Sequence, residues 1–119
     1  MIIAVDFDGT ISMSSYPDIG APNLPLINLL KEKKEKGAKL ILWSCRVGER
    51  LERAVKYCEA MGLTFDAVND NIKEMKERYG TDCRKVYADV YIDDAATKPE
   101  DFVNRFKVNE NPYGQVGVF

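Results

Sequence analysis

The sequence opens with the apolar run Met1–Val5 and continues directly into Asp6-Phe7-Asp8-Gly9-Thr10. A short apolar run that ends at acidic residues is typical of a strand buried on both faces, so we predict a strand over residues 1–7. Carboxylates two positions apart in an extended chain lie on the same side and repel unless a cation or a proton lies between them. Gly9 allows a sharp turn that presents backbone N–H groups to an anion. This stretch therefore predicts a buried strand leading into a charged site.

Outward from this stretch, apolar periodicity alternates between strand and helix. Further strands are predicted over residues 39–44, 64–68 and 86–92, and helices over about 23–37, 48–61, 71–79 and from 97 onward. Residues 12–22 are predicted to form a loop, and residues 108–119 an additional edge strand. This alternation predicts one α/β domain over residues 1–119, a three-layer α/β/α sandwich around a mostly parallel sheet.

Three of the predicted helices have a recognisable core face or cap. Leu24, Ile27 and Leu30 recur at the spacing of one helix face, so we expect them to face the core. Asn71 precedes Glu74 by three residues, which predicts that Asn71 caps the helix over 71–79. The apolar residues Phe102, Val103 and Phe106 are likewise spaced for one face of the last helix.

Composition excludes several classes of chemistry. The chain contains no histidine, so neither Ser-His-Asp nor Cys-His catalysis is available, nor are the usual zinc sites. The net charge of −2 argues against binding along duplex nucleic acid. The three cysteines lack metal-ligand spacing and are expected to be buried free thiols. The N-terminal apolar run is too short for a signal peptide or a membrane span, so we expect a cytoplasmic protein without membrane contact.

Polar residues fall at the ends of three predicted strands. Asp6 and Asp8 end the first strand, Ser44 the second, and Asp93 and Asp94 the fourth. In a parallel sheet the ligand site lies at the carboxyl ends of the strands. So many carboxylates at one edge require a hard divalent cation with oxygen ligands, Mg²⁺ above all. The sequence therefore predicts a magnesium site at this edge.

Four segments in order resemble the signatures of the haloacid dehalogenase (HAD) superfamily of phosphohydrolases. Asp6-Phe7-Asp8-Gly9-Thr10-Ile11 is similar to the first signature, and Leu40-Ile41-Leu42-Trp43-Ser44 to the second. Lys85 matches the third, and Tyr91-Ile92-Asp93-Asp94 the fourth. The resemblance implies a HAD-like fold with a Rossmann-like sheet and phosphatase activity through an aspartyl phosphate.

The resemblance also implies a role for each matching residue. Asp6 is the expected nucleophile, and Asp8 the acid that protonates the leaving oxygen and then deprotonates the attacking water. Ser44 is expected to hydrogen-bond a phosphoryl oxygen, and Lys85 to neutralise charge on Asp6 and the transferred group. Arg84 competes with Lys85 for that assignment.

For the metal, the resemblance implies that Mg²⁺ lies among Asp6, Asp8, Asp93 and Asp94. Asp8 contributes its backbone carbonyl, Asp94 binds directly, and Asp93 binds in an outer position or through water.

Gly9, Thr10 and Arg46 lie close enough in sequence to these motifs to contact substrate. Thr10 is better explained as a brace for the turn, and Arg46 is equally consistent with an ion pair.

No segment is long enough for the cap domain that many superfamily members carry, so we expect a capless enzyme. Its cleft is open unless the 12–22 loop or a neighbouring subunit covers it. The substrate is a sugar phosphate, a nucleotide or a phosphoprotein, and the enzyme is a monomer or a homo-oligomer. The alternatives are a phosphotransferase, a receiver-like phospho-accepting domain and a non-catalytic binding protein.

Overall fold

Strand β1, Ile2–Val5, lies in the interior of the sheet, and all four of its residues are buried. The computed structural model describes residues 1–107, and within them β1 pairs in parallel with two strands, β2 (Lys39–Leu42) and β4 (Val90–Ile92). β3 (Ala67–Val68) pairs in parallel with β2, which gives the order β3-β2-β1-β4. The predicted α/β class with a parallel sheet is confirmed. The edge strand proposed for residues 108–119 lies outside the described residues.

Four helices accompany these strands in the described range: α1 (Leu24–Glu35), α2 (Gly48–Ala60), α3 (Lys73–Tyr79) and α4 (Pro99–Lys107). Alternate residues of β1 point to opposite faces of the sheet. Ile3 and Val5 belong to a core that also contains buried residues of α1 and α2. Ile2 and Ala4 pack on the other face in a smaller core with Ile72, the residue that precedes α3. The predicted three layers are therefore present.

The strand order places a reversal between β1 and β4. Steps from β1 to β2 to β3 run in one direction, so right-handed crossovers put α1 and α2 on the same face. The next step returns across the sheet to β4, and its helix α3 lies on the opposite face. Crevices at such a reversal, beyond the carboxyl ends of the strands, are the usual ligand sites of this class. Asp6 follows β1 and Asp93 follows β4 at this point.

Two aspartates fix the opposite, amino-terminal edge of the sheet. The Asp89 carboxylate accepts a hydrogen bond of 2.7 Å from the Ile2 N–H, and that of Asp66 accepts one of 2.8 Å from the Leu40 N–H. Each carboxylate satisfies a strand N–H that would otherwise lack a protein partner. Asp89 thus has a structural role that the sequence did not indicate.

Helix α1 begins as predicted. The Asn23 side chain accepts a hydrogen bond from the Leu26 N–H, and a proline follows in the first turn. Ile27 and Leu30 are buried as expected. Leu24 is 52% exposed, however, so its assignment to the core face was wrong. It lies at the first position of the helix.

The predicted cap of α3 was also wrong. α3 begins at Lys73, and no side chain caps it at Ile72. Buried Asn71 instead donates to Asp82 and to the Cys83 carbonyl, and accepts from the Tyr87 N–H. These long-range bonds use the atoms that a cap would need.

The fourth strand is shorter than predicted because residues 86–88 bond elsewhere. The Tyr87 N–H goes to Asn71, and the Tyr91 hydroxyl donates back to the Val86 carbonyl. β3 likewise covers only two of the five predicted residues.

The apolar side chains of α4, Phe102, Val103 and Phe106, are about half exposed rather than covered by the described residues.

Of the three free cysteines, only Cys58 is buried, while Cys45 and Cys83 are exposed. The prediction of buried thiols therefore holds for one of them. Burial raises the pKa of Cys58 to about 12.

Among residues 1–107, no helix is long and apolar enough to cross a membrane.

Candidate acidic site at the strand reversal

Three carboxylates meet where the strand order reverses. Asp6 follows β1, and Asp93 and Asp94 follow β4, and their carboxylate oxygens lie within 4.8 Å of one another. The Asp6 N–H donates to the Ile92 carbonyl at 2.9 Å, which fixes the two strand ends side by side. The structure thus brings together Asp6, Asp93 and Asp94, as the sequence predicted.

The electrostatics of this cluster are unfavourable to three bare charges. The pKa of Asp6 is raised to about 6, chiefly by burial and also by the neighbouring carboxylates of Asp93, Asp94 and Asp8, against a hydrogen bond from the Phe7 backbone that lowers it. Like charges at this separation disfavour ionisation unless a cation compensates them. Oxygen donors from several carboxylates are the ligands that Mg²⁺ takes in proteins. The donor set therefore fits a magnesium ion.

Gly9 makes room for one of these carboxylates. A Cβ atom at position 9 would lie 2.4 Å from Asp94 Oδ2, and Gly9 has φ of +75°, in the left-handed region. Both the close approach and the backbone conformation require glycine. Gly9 therefore positions Asp94 through its lack of a side chain.

Asp8 lies outside this group of three carboxylates and is paired with Arg46. Arg46 Nε and Nη2 donate to the two Asp8 carboxylate oxygens at 2.9 and 2.7 Å. This bidentate pair raises the pKa of the Arg46 guanidinium above its usual value, against the opposing effect of burial. It also fixes the orientation of the Asp8 carboxylate, whose side chain is 19% exposed.

The remaining donors of Arg46 are also used. Nη2 donates to the carbonyls of Pro17 and Asp18 at 3.1 and 3.2 Å, and Nη1 to that of Arg50 at 3.3 Å. Arg46 is 1% exposed. Of the two sequence-based alternatives for Arg46, the structure shows the ion pair, and its contacts are with the protein.

Ser44 lies in a loop that Asn69 holds in place. The Ser44 N–H donates to Asn69 Oδ1 at 2.7 Å, and Asn69 Nδ2 donates to the Arg46 carbonyl at 3.3 Å. Ser44 Oγ accepts from the Arg46 N–H at 3.1 Å, which leaves its own proton for another acceptor. Asn69 has φ of 51° and follows β3. Its position after a strand was the only sequence signal for this role.

Lys85 lies beside the acidic cluster but is not ion-paired with Asp6 in the described chain. Its ammonium is 5.5 Å from the centroid of the Tyr91 ring. Lys85, Tyr91, Asp93 and Lys98 all line one open depression of about 700 Å³.

Arg84, the competing candidate, turns away. It pairs with Asp82 at 2.9 Å and with Asp70 at 3.6 Å. This geometry favours Lys85 as the basic residue of the site.

Thr10 contributes through its backbone. Its carbonyl accepts from Asn23 Nδ2 at 3.1 Å, which ties the turn to the start of α1. Its hydroxyl is buried without a hydrogen-bond partner among residues 1–107. The turn-bracing role expected for Thr10 agrees with the backbone contact.

Tyr16 and Arg50 were not found from the sequence. The Arg50 guanidinium carbon lies 5.3 Å from the Tyr16 ring centroid, and Arg50 Nη1 donates to the Tyr16 hydroxyl. The Arg46 guanidinium carbon lies 5.2 Å from the same ring. The spacing of Arg46 and Arg50, four residues apart, is the only pattern that could have suggested their proximity.

Fold and site together define a small α/β protein with a parallel sheet and an acidic crevice at its strand reversal. No protein-family model matches the sequence, and no curated protein matches it. A solved structure, that of a conserved protein coded by a locus of Bacteroides thetaiotaomicron, is similar at a TM-score of 0.71 and 37% identity. The match covers 95% of this chain and 93% of that one. The chain therefore belongs to the same family as this conserved Bacteroides protein.

Proposed function

We propose that the protein is a Mg²⁺-dependent phosphohydrolase of the HAD type, which cleaves a phosphomonoester through an aspartyl phosphate on Asp6. The observation that carries this proposal is the division of the four acids into two groups. Asp6, Asp93 and Asp94 cluster within 4.8 Å, while Asp8 is held apart by Arg46. A cation site beside a separately oriented acid is what a phosphatase of this type needs.

Asp6, Asp93 and Asp94 would hold the magnesium ion, together with the Asp8 backbone carbonyl. When bound, the ion neutralises charge on the phosphoryl oxygens and on the clustered carboxylates. The fit rests on the donor chemistry and on the raised pKa of Asp6, which burial and neighbouring acids cause in the absence of a cation.

In the first half of the reaction, an Asp6 carboxylate oxygen attacks phosphorus and the bond to the leaving oxygen breaks. For this step Asp8 takes up a proton as its contact with Arg46 opens, and it gives that proton to the leaving oxygen. In the second half, water attacks the phosphorus of the aspartyl phosphate and passes a proton to Asp8, which regenerates Asp6 and releases phosphate. The bidentate contact with Arg46 fixes the orientation of the ionised Asp8 carboxylate, the form that accepts the proton from water.

Ser44 and Lys85 act on the phosphoryl group. The Ser44 hydroxyl, whose oxygen already accepts from the Arg46 N–H, donates its proton to a phosphoryl oxygen. Lys85 stands at the side of the depression that Asp93 also lines, and supplies positive charge there. This role requires Lys85 to move toward Asp6 when phosphate binds, since the two are not ion-paired among residues 1–107.

Transfer to an acceptor other than water is the nearest alternative within the same chemistry. The presence of Asp8 at the acid–base position favours hydrolysis. A receiver-like domain is disfavoured by topology, because receivers place β1 between β2 and β3, whereas here β1 lies between β2 and β4.

The test is hydrolysis of p-nitrophenyl phosphate by the purified protein with and without Mg²⁺. We expect activity that EDTA removes and added Mg²⁺ restores, and that Asp6→Asn abolishes. Glu32→Gln, an exposed acid on α1, is the matched control and should keep full activity. Hydrolysis at the wild-type rate in Asp6→Asn would contradict the proposal.

A further inference from the structure

The loop over residues 12–22 is fixed in place beside the acidic site. Ser12 Oγ accepts from the Gly20 N–H at 2.9 Å, and the Tyr57 hydroxyl donates to the Gly20 carbonyl at 2.7 Å. Arg46 adds hydrogen bonds to the carbonyls of Pro17 and Asp18. This loop is therefore organised before any ligand arrives, which lowers the entropy cost of binding.

The loop nevertheless leaves a large aromatic ring exposed. Tyr16 is 51% exposed, although its ring lies against the guanidinium groups of Arg46 and Arg50. Within residues 1–107 the exposed Arg50 side chain hydrogen-bonds only to the Tyr16 hydroxyl, so Arg50 keeps further N–H donors. An exposed ring next to an arginine is the combination that stacks on nucleobases and contacts phosphates.

The position of Tyr16 and Arg50 relative to Asp8 determines which part of a substrate they contact. Arg46 bridges the two, with one hydrogen bond of 2.7 Å to Asp8 and 5.2 Å from its guanidinium carbon to the Tyr16 centroid. In the proposed reaction Asp8 protonates the leaving oxygen, so the leaving group lies next to Asp8. Because the Arg46 guanidinium lies between Asp8 and the Tyr16 ring, a planar group reaches Tyr16 only when a spacer separates it from its phosphate. A ring that carries the phosphate directly would instead remain beside Asp8.

Resting on the proposed function, we infer that the substrate is a nucleotide with a terminal phosphate monoester, whose base stacks on Tyr16 and whose further polar groups contact Arg50. The ribose supplies the spacer between phosphate and base. Tyr16 and Arg50 are then specificity-determining residues for this site.

The test measures binding rather than turnover, by titration calorimetry of the Asp6→Asn protein in Mg²⁺. The probes are adenosine 5′-monophosphate and ribose 5-phosphate, which differ at C1′, where the first carries adenine and the second a hydroxyl. We expect the nucleotide to bind about tenfold more tightly, the effect of one stacked base. Tyr16→Leu should reduce its affinity to that of ribose 5-phosphate, and Arg50→Gln should weaken it less.

Tyr79 and Arg78 provide matched controls, because they form a second exposed arginine–tyrosine contact, at 5.7 Å, on α3. Tyr79→Leu and Arg78→Gln should leave both affinities unchanged. Equal affinities for the two probes, or a preference that survives Tyr16→Leu, would overturn the inference. Tighter binding of O-phosphotyrosine than of the nucleotide would also overturn it.

A 5′- or 3′-phosphorylated oligonucleotide in the same titration distinguishes a free nucleotide from the end of a nucleic acid. It binds more tightly than the mononucleotide only if the substrate is a nucleic-acid end.

Failure of the nucleotide preference leaves the p-nitrophenyl phosphate result intact. Conversely, if the protein prefers the nucleotide through Tyr16 but shows no Mg²⁺-dependent hydrolysis, the proposed nucleotide site stands and the proposed phosphatase activity is wrong.

Discussion

Replacement of Arg46 by leucine removes the one charged side chain that is fully buried in the described chain, at 1% exposure. The change leaves the Asp8 carboxylate without its bidentate partner, and leaves the carbonyls of Pro17 and Asp18 without a donor. Both the acid–base residue and the 12–22 loop are therefore affected.

The expected loss in the free energy of unfolding follows from these contacts. Breaking a buried ion pair by removing one partner costs about 3–5 kcal/mol, because the other charge stays behind unpaired. Asp8 keeps 19% exposure and so recovers some hydration, which places the expected loss near the lower end, about 3 kcal/mol. Arg46→Lys keeps the charge but not the planar pair of donors, and should cost about 1–2 kcal/mol.

Urea unfolding at pH 7 measures the loss in the free energy of unfolding for both Arg46→Leu and Arg46→Lys. Arg84→Leu is the control, since Arg84 also pairs with aspartate but is 61% exposed, and should cost less than about 1 kcal/mol. Arg46→Leu should also lower kcat on p-nitrophenyl phosphate more than Arg46→Lys does. A leucine variant no less stable than Arg84→Leu would refute the reasoning.

Three further changes test the acidic site and its supports. Without metal, Asp6→Asn should be more stable than wild type by about 1–2 kcal/mol above pH 6, because the raised pKa of Asp6 means that the wild-type protein loses stability as the pH rises from about 4 to 6. Thermal unfolding in EDTA at pH 4 and pH 7.5 checks this. A stability difference between the two proteins that is the same at both pH values would contradict it. Gly9→Ala should reduce the thermal stabilisation by Mg²⁺, because the new Cβ collides with Asp94. Gly80→Ala, at a similar φ of 68° but in open space, should not reduce it. An equal reduction of the Mg²⁺ stabilisation in both variants would contradict the role given to Gly9. Asn71→Ala should lower the free energy of unfolding, measured in urea, by about 2–3 kcal/mol, since three polar partners lose their hydrogen bonds. A loss below about 0.5 kcal/mol, which is typical of an ordinary surface change, would count against the structural role of Asn71.

The alternation of strands and helices and the convergence of the acids could be predicted from local patterns. A buried strand such as β1 is marked by its uninterrupted apolar run, and in a parallel sheet the residues that follow each strand share one edge. Asp6, Asp93 and Asp94 therefore meet, although Asp6 and Asp93 are 87 positions apart in the sequence.

Side-chain partners could not be predicted in the same way. Asn71 has the spacing of a helix cap, but its bonds go to residues 82, 83 and 87, which only the folded chain brings near. Arg46 and Asp8 are 38 positions apart, and no periodicity links them. The exposed face of α4 shows the same limit, because apolar spacing predicts a face but not what covers it.

The most direct test of the central claim is to trap the covalent intermediate on Asp6. The protein is mixed with p-nitrophenyl phosphate and Mg²⁺, reduced with borohydride, digested and examined by mass spectrometry. An aspartyl phosphate is reduced to homoserine, so we predict homoserine at position 6, dependent on both substrate and Mg²⁺ and absent when EDTA is added. Hydrolysis that proceeds with position 6 unmodified, or with the modification at another acid, would contradict the assignment of Asp6 as nucleophile.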